Sequence, residues 1–205
     1  IVLAGGMGCV RQTNRTTSGD TDSDKKPHVA YVTNGVASFW VIAEAGANVG
    51  AREVGAKVTV LMPAEGISDQ KRMIEDMLTK SVDGLAVSPI DPVNQTDLLN
   101  MAAKYTKLIT HDSDSPQSNR LAYIGMDNYL AGRMCGDLVK EALPEGGKVA
   151  IFIGRLEQDN ARRRRQGLLD SMLERDHDPS RFDPPDQVIK EGKWHIVGTY
   201  TDQFD

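Results

Sequence analysis

Residues 28–61 read HVAYVTNGVASFWVIAEAGANVGAREVGAKVTVL, and the architecture follows from them. Val29-Ala30-Tyr31-Val32 is a β-branched and aromatic run of strand length. Ser38 to Gly55 carries a helical period with Ile42, Ala45 and Val49 on one face, and Val58-Thr59-Val60-Leu61 is a second strand. Strand, helix, strand is the unit from which parallel sheets are built, because a parallel return needs a crossover that packs back on the sheet. The alternation continues. Ser68 opens a helix whose Met73, Ile74, Met77 and Leu78 form an apolar stripe. Gly84-Leu85-Ala86-Val87 is a third strand, and Leu98, Leu99, Ala102 and Ala103 line one side of the helix after it. Leu108-Ile109-Thr110 and Leu121-Ala122-Tyr123-Ile124 are short strands joined by a polar loop.

A second series begins at the capping pair Asp127-Asn128, with Gly132, Cys135, Gly136, Val139 and Leu143 on one helix face. Val149-Ala150-Ile151-Phe152-Ile153 is wholly apolar, the pattern of a strand covered on both faces of a parallel sheet. Asp159 or Asn160 caps a helix carrying Leu168, Leu169, Met172 and Leu173, and Trp194-His195-Ile196-Val197 is the last complete strand. The expected fold is α/β with doubly wound parallel sheets, the first series having enough strands for its own sheet and the second being unfinished.

Both ends read as cut. Ile1 to Cys9 is an apolar run passing into small residues, as at the end of a secretory signal's hydrophobic region, and Gly6-Met7-Gly8-Cys9 is similar to a relaxed bacterial lipobox. A phosphate-binding loop is the other reading of this glycine-rich start, but it needs a strand before it and a helix after it. Arg11 to Lys26 instead reads as a flexible polar tether. The expected organisation is a signal remnant and tether over 1–27 with Cys9 as the expected lipidation site, a first α/β domain over 28–126 and part of a second over 127–205.

Composition narrows the function classes. The 205 residues hold 24 basic and 29 acidic side chains, a net charge of −5, which disfavours a sequence-independent grip on nucleic acid or anionic lipid. A content of 40% hydrophobic and 26% charged residues belongs to a folded chain. Two cysteines, Cys9 and Cys135, build neither a disulfide framework nor a zinc site. No apolar run approaches the roughly 20 residues of a membrane-spanning helix.

Ligands of doubly wound sheets bind beyond the carboxyl ends of the strands. After the first strand stand Phe39-Trp40, either core residues or a stacking surface for the apolar face of a pyranose. After the third, Ser88-Pro89-Ile90-Asp91-Pro92 is a rigid turn that presents the Ser88 hydroxyl. After the fourth comes His111-Asp112-Ser113-Asp114, in which Asp112 is a carboxylate for ligand hydroxyls, a metal ligand short of partners, or a loop cap. In Arg162-Arg163-Arg164-Arg165, Arg162 lies nearest the helix start and offers a planar donor fork, while the rest read as solvated surface. No nucleophile elbow, Walker loop, His-Glu-x-x-His pair or Cys–His dyad occurs, so binding is indicated and catalysis, cofactor or metal are not.

Five segments in order resemble the ribose-type periplasmic sugar-binding proteins, the substrate receptors of bacterial ABC importers. They are Val29 to Val32 with Phe39-Trp40, Asp83 to Pro89, Ile109 to Asp112, Tyr123 to Asn128 with Ala131-Gly132, and Asn160 to Arg164 with Gly167. The resemblance implies two hinged domains closing on one monosaccharide, with a first crossing near Met126. It implies a sugar-stacking role for Phe39 and Trp40, and hydroxyl binding by Asp112 and Arg162. It matches Phe204 to a further aromatic. An ABC permease as partner, a monomeric state, an extracytoplasmic location and no nucleic acid go with it. This sequence departs from the family pattern at Ala37-Ser38 (often Asn-Pro), Ser113 (often Arg) and Ser88 (often Asn). The alternative, the effector domain of a LacI-type sugar-responsive repressor, calls for a helix-turn-helix before the first strand. A dinucleotide-dependent enzyme calls for a Gly-x-Gly-x-x-Gly turn, which Asn34 to Ser38 does not supply.

Overall fold

The computed structural model describes residues 25–201. The first sheet contains β1 (His28–Val32), β2 (Lys57–Leu61), β3 (Gly84–Val87), β4 (Lys107–His111) and β5 (Tyr123–Ile124), all parallel in the order β2-β1-β3-β4-β5. The chain leaves β1 toward β2 and returns on its other side as β3. The strand order thus reverses beside β1, the position where such sheets open a crevice for ligand. The crossover helices are α1 (Ser38–Glu53), α2 (Ile67–Thr79) and α3 (Thr96–Tyr105). Val32, Val87, Leu85 and Leu108 of the strands bury against Ile74 and Met77 of α2 and Leu99 and Ala102 of α3, as the stripes predict.

Helix α1 reverses its expected face. Its inner side is Trp40, Ala43, Ala47 and Ala51, while Ile42 is 73% exposed and Val49 also faces outward. Counting branched residues picks the wrong side because small residues allow a helix to lie close to a sheet. The N-cap of α2 is Gly66 rather than Ser68, and it uses a positive φ of 74°.

Two buried glutamines brace the carboxyl ends of the strands. The Gln70 amide donates to the backbone carbonyls of Thr33 and Ser88, at 2.6 and 2.8 Å, tying the end of β1 to that of β3. Its Oε1 accepts from Ile90 N and from Gln95 Nε2. In a low-dielectric interior these bonds fix loops that would otherwise be mobile.

The second sheet is smaller. It joins β6 (Gly147–Ile153), β7 (Ile189–Glu191) and β8 (Trp194–Thr201) in the order β6-β8-β7. The β6–β8 pair is parallel, but β7 runs antiparallel to β8, so this sheet is mixed rather than parallel. Helices α4 (Asn128–Ala142) and α5 (Asp159–Met172) lie against each other, and Leu169 and Met172 pack with Ile151, Trp194 and Ile196. Close approach is set by glycines: a Cβ on Gly132 would overlap the Arg164 carbonyl, and one on Gly167 the Tyr129 carbonyl. Asp127 caps α4 as expected, accepting from Leu130 N at 2.9 Å. The N-cap of α5 is Gln158, and neither Asp159 nor Asn160 caps it. Among the described residues only one face of β6 is covered: Phe152 is 78% exposed and stacks on Tyr200 with ring centroids 5.3 Å apart.

Candidate functional site

The carboxyl ends of β1, β4 and β6 and the start of α5 border one cleft of about 990 Å³. Its walls include Asn34, Phe39, Trp40 and Asp112 on the first sheet's side and Gln158, Asn160 and Arg164 on the second's. Polar and aromatic groups therefore converge from two separately cored layers.

The aromatic pair divides its labour. Trp40 is 4% exposed, edge-on to Tyr31, Phe39 and His111, and its indole N–H donates to Asn34 Oδ1 at 3.0 Å. Phe39 is 54% exposed and presents an open ring. Of the two predicted stacking residues, Phe39 is the exposed ring and Trp40 the buried one packed against it. Beneath them the Tyr31 hydroxyl and His111 Nδ1 share a 2.8 Å hydrogen bond, and burial lowers the His111 pKa and raises that of Tyr31.

Asp112 sits at the end of β4 with a left-handed φ of 62°, a conformation that Asp tolerates better than most residues. Tyr123 holds the turn by donating its hydroxyl to the Asp112 carbonyl at 2.8 Å. The carboxylate accepts from Asn160 Nδ2 at 3.3 Å, spanning the two layers. Burial pushes its pKa above the usual carboxylate range, against the opposing pull of Arg164, His111 and the Ser88 hydroxyl. Ser88 itself is fully buried and does not border the cleft. It accepts from Asn34 Nδ2 at 3.2 Å and from Ser113 N at 3.4 Å, so it orients the wall from behind.

The arginine run corrects the expectation most. Arg162 does not border the cleft; its guanidinium lies 4.4 Å over the Phe182 ring. Of the run, Arg164 and Arg165 border the cleft instead, together with Arg155 of the preceding loop, and Arg164 Nε donates to Asn128 Oδ1 at 2.7 Å. The reason is helical phase. Residues 160 and 164 are one turn apart and share a face, whereas residue 162 points well away from both. Arg163 pairs with Asp159 at 2.6 Å. Arg165, read as solvated, is buried: it donates to Thr199 Oγ1, Asp183 O and Pro184 O at 2.8, 2.7 and 3.0 Å. All four guanidinia are engaged within the molecule, so the run presents no free basic patch.

The sequence reading assigns no ligand role to Asn34, Gln158, Asn160 or Arg164. Asn34 follows β1 directly, and the four-residue spacing of Asn160 and Arg164 was the available signal. Cys9 and Phe204 lie outside the described residues. Among the described residues, no group of three His, Cys, Asp or Glu could hold a metal ion, and no helix is long and apolar enough to cross a membrane.

A switch-point sheet facing a second α/β layer across a polar and aromatic cleft is the build of a periplasmic binding protein. The chain belongs to that family: the model described as periplasmic binding protein domain matches residues 29–203. It is 29% identical over 134 residues to the ribose import binding protein RbsB of Haemophilus influenzae, covering 63% of this chain and 45% of that one. It is 25% identical over 165 residues to the D-ribose/D-allose-binding protein of Pseudomonas aeruginosa, covering 74% and 51%. Among solved structures it resembles an ABC transporter solute-binding protein of Burkholderia graminis in complex with D-arabinose. That match has 28% identity and a TM-score of 0.77, over 88% of this chain and 58% of the other. The chain spans about half the length of these curated relatives.

Proposed function

We propose that this protein captures a monosaccharide, a pentose or hexose, in the cleft between its two layers and delivers it unchanged to an ABC importer. The observation that supports this reading is the cleft itself: Phe39 offers an open ring, and Asp112, Asn160 and Arg164 border the same space. A ring that covers C–H groups and charged groups that take up hydroxyls are complementary to a sugar. Trp40 and Ser88 shape the wall, and Arg164 takes the place expected of Arg162. The names of the relatives, which are ribose- and allose-binding proteins, support the same class of ligand.

In this reading residues 28–126 form the first domain and the chain crosses near Met126 into the second. The protein works as a monomer outside the cytoplasmic membrane, anchored through a lipid on Cys9, and does not bind nucleic acid. Calorimetry on the full-length protein with a panel of pentoses and hexoses tests it. Hydrogen bonds to charged groups contribute roughly 1.5–3 kcal/mol each, so Asp112→Ala should weaken binding at least about tenfold. Phe39→Ala should weaken it too. Absence of saturable binding to any sugar overturns the function; wild-type affinity in both variants overturns the site.

A further inference from the structure

Gln158 ends the loop between β6 and α5. It is 4% exposed, it borders the cleft, and its Nε2 has no hydrogen-bond partner among the described residues. Its backbone serves the helix normally, the carbonyl accepting from Arg162 N at 3.1 Å, but its side chain makes no capping bond. The side-chain amide N–H therefore neither caps the helix nor finds an acceptor among the described residues. Leaving a buried donor unsatisfied costs stability, and native chains satisfy nearly all such groups. The contrast with its surroundings is sharp: the carboxamides of Gln70, Gln95 and Gln166 all donate to defined acceptors.

Two residues along the chain, Asn160 reaches across to Asp112, so this end of α5 already leans over the wall that carries the carboxylate. A ligand seated there has its oxygen atoms within reach of the same helix end, where the dipole also favours an electron-rich atom.

We infer that Gln158 is a specificity-determining residue of the cleft, its amide N–H donating to one oxygen of the bound ligand. This rests on the sugar-capture reading and adds a selection to it. Gln158 is a donor held in place at a cost to the unliganded protein, and it discriminates sugars that present an oxygen at one position from those that lack it. A site built to hydrogen-bond an oxygen rejects the analogue without it, since the buried partner is then left unpaired.

The test uses the full-length protein and its Gln158→Met and Gln158→Glu variants, with D-ribose, D-arabinose, D-allose and the monodeoxy analogues of the best binder. Methionine keeps the shape and removes the donor. Without sugar, Gln158→Met should melt no lower than wild type, because an unsatisfied group has been removed. It should bind the best sugar at least about tenfold more weakly, and Gln158→Glu should lose binding as well. One monodeoxy analogue should bind wild type about tenfold more weakly than the parent sugar, with no such difference in Gln158→Met. Equal affinity of wild type and Gln158→Met overturns the inference while sugar capture stands. So does a variant that melts lower and loses every analogue alike, which marks a structural role. If wild type binds none of the sugars, the sugar-capture reading fails and this inference falls with it.

Discussion

The crossing of α4 and α5 gives a test in which one substitution has opposite signs at two places. Alanine is favoured over glycine in a helix interior by about 0.8–1.0 kcal/mol. At Gly46, in the middle of α1, an added Cβ meets nothing within 4 Å. Gly46→Ala should therefore stabilise the protein by up to about 1 kcal/mol. At Gly167 the new Cβ overlaps the Tyr129 carbonyl oxygen and stands 2.9 Å from Arg133 N and 3.0 Å from Tyr129 C. These are backbone atoms of α4, which cannot swing aside as a flexible side chain does, so the helices must part. Overpacking costs typically 1–3 kcal/mol. Taking the upper end and subtracting the gain in helix propensity leaves a net loss of about 2 kcal/mol. At about 2–4 °C per kcal/mol for a chain of this size, Gly167→Ala should melt about 4–8 °C below wild type. Parting the helices also displaces Asn160 and Arg164 from the cleft, so sugar affinity should fall with it. Circular dichroism melts of the two variants beside wild type provide the assay. A Gly167→Ala protein as stable as wild type refutes the close packing of α4 on α5.

The arginine run separates by partner. Arg165→Ala strands the Asp183 and Pro184 carbonyls and frees the Thr199 hydroxyl, and should cost about 3 kcal/mol or more in urea unfolding. Arg162→Ala loses a contact over Phe182, worth about 0.5–1 kcal/mol, and a charge near Asp159, and should move the midpoint far less. The pH dependence of stability divides between two neighbours. Burial lowers the His111 pKa from 6.5, so below that value the unfolded chain takes up a proton that the folded one refuses. Its contribution is complete above the unfolded value and is lost as pH falls through this window, a loss that His111→Gln should remove. The Asp112 pKa is raised from 3.8 by burial, so the folded chain holds the proton longer and stability falls as pH rises above that value. Asp112→Asn should flatten that opposite slope. Melting temperatures followed from about pH 4 to 7.5 separate the two variants, and parallel profiles for both would contradict the assigned burial.

The elements that carried strong period were legible from the chain. In α2 and α3 the apolar stripe matches the buried side because both helices cover a sheet with their largest residues. Helix α1 misled, since the alanine face that packs is the one a hydrophobicity count passes over. Strand β7 is three residues with one apolar member, Ile189, and its direction follows from pairing with β8, which local pattern does not encode.

For the site, the sequence alone placed Phe39 and Trp40 at the junction after the first strand and Asp112 after the fourth, because an alternating chain of parallel strands puts those junctions on one edge of the sheet. It could not choose among neighbours. Which aromatic stays open depends on the indole bond from Trp40 to Asn34, and which arginines of the run meet the cleft depends on the phase that the α4 crossing imposes on α5. Position along a strand is set by local pattern and survives in the sequence. Direction around a helix axis is set by what the helix packs against, and only the tertiary structure decides it.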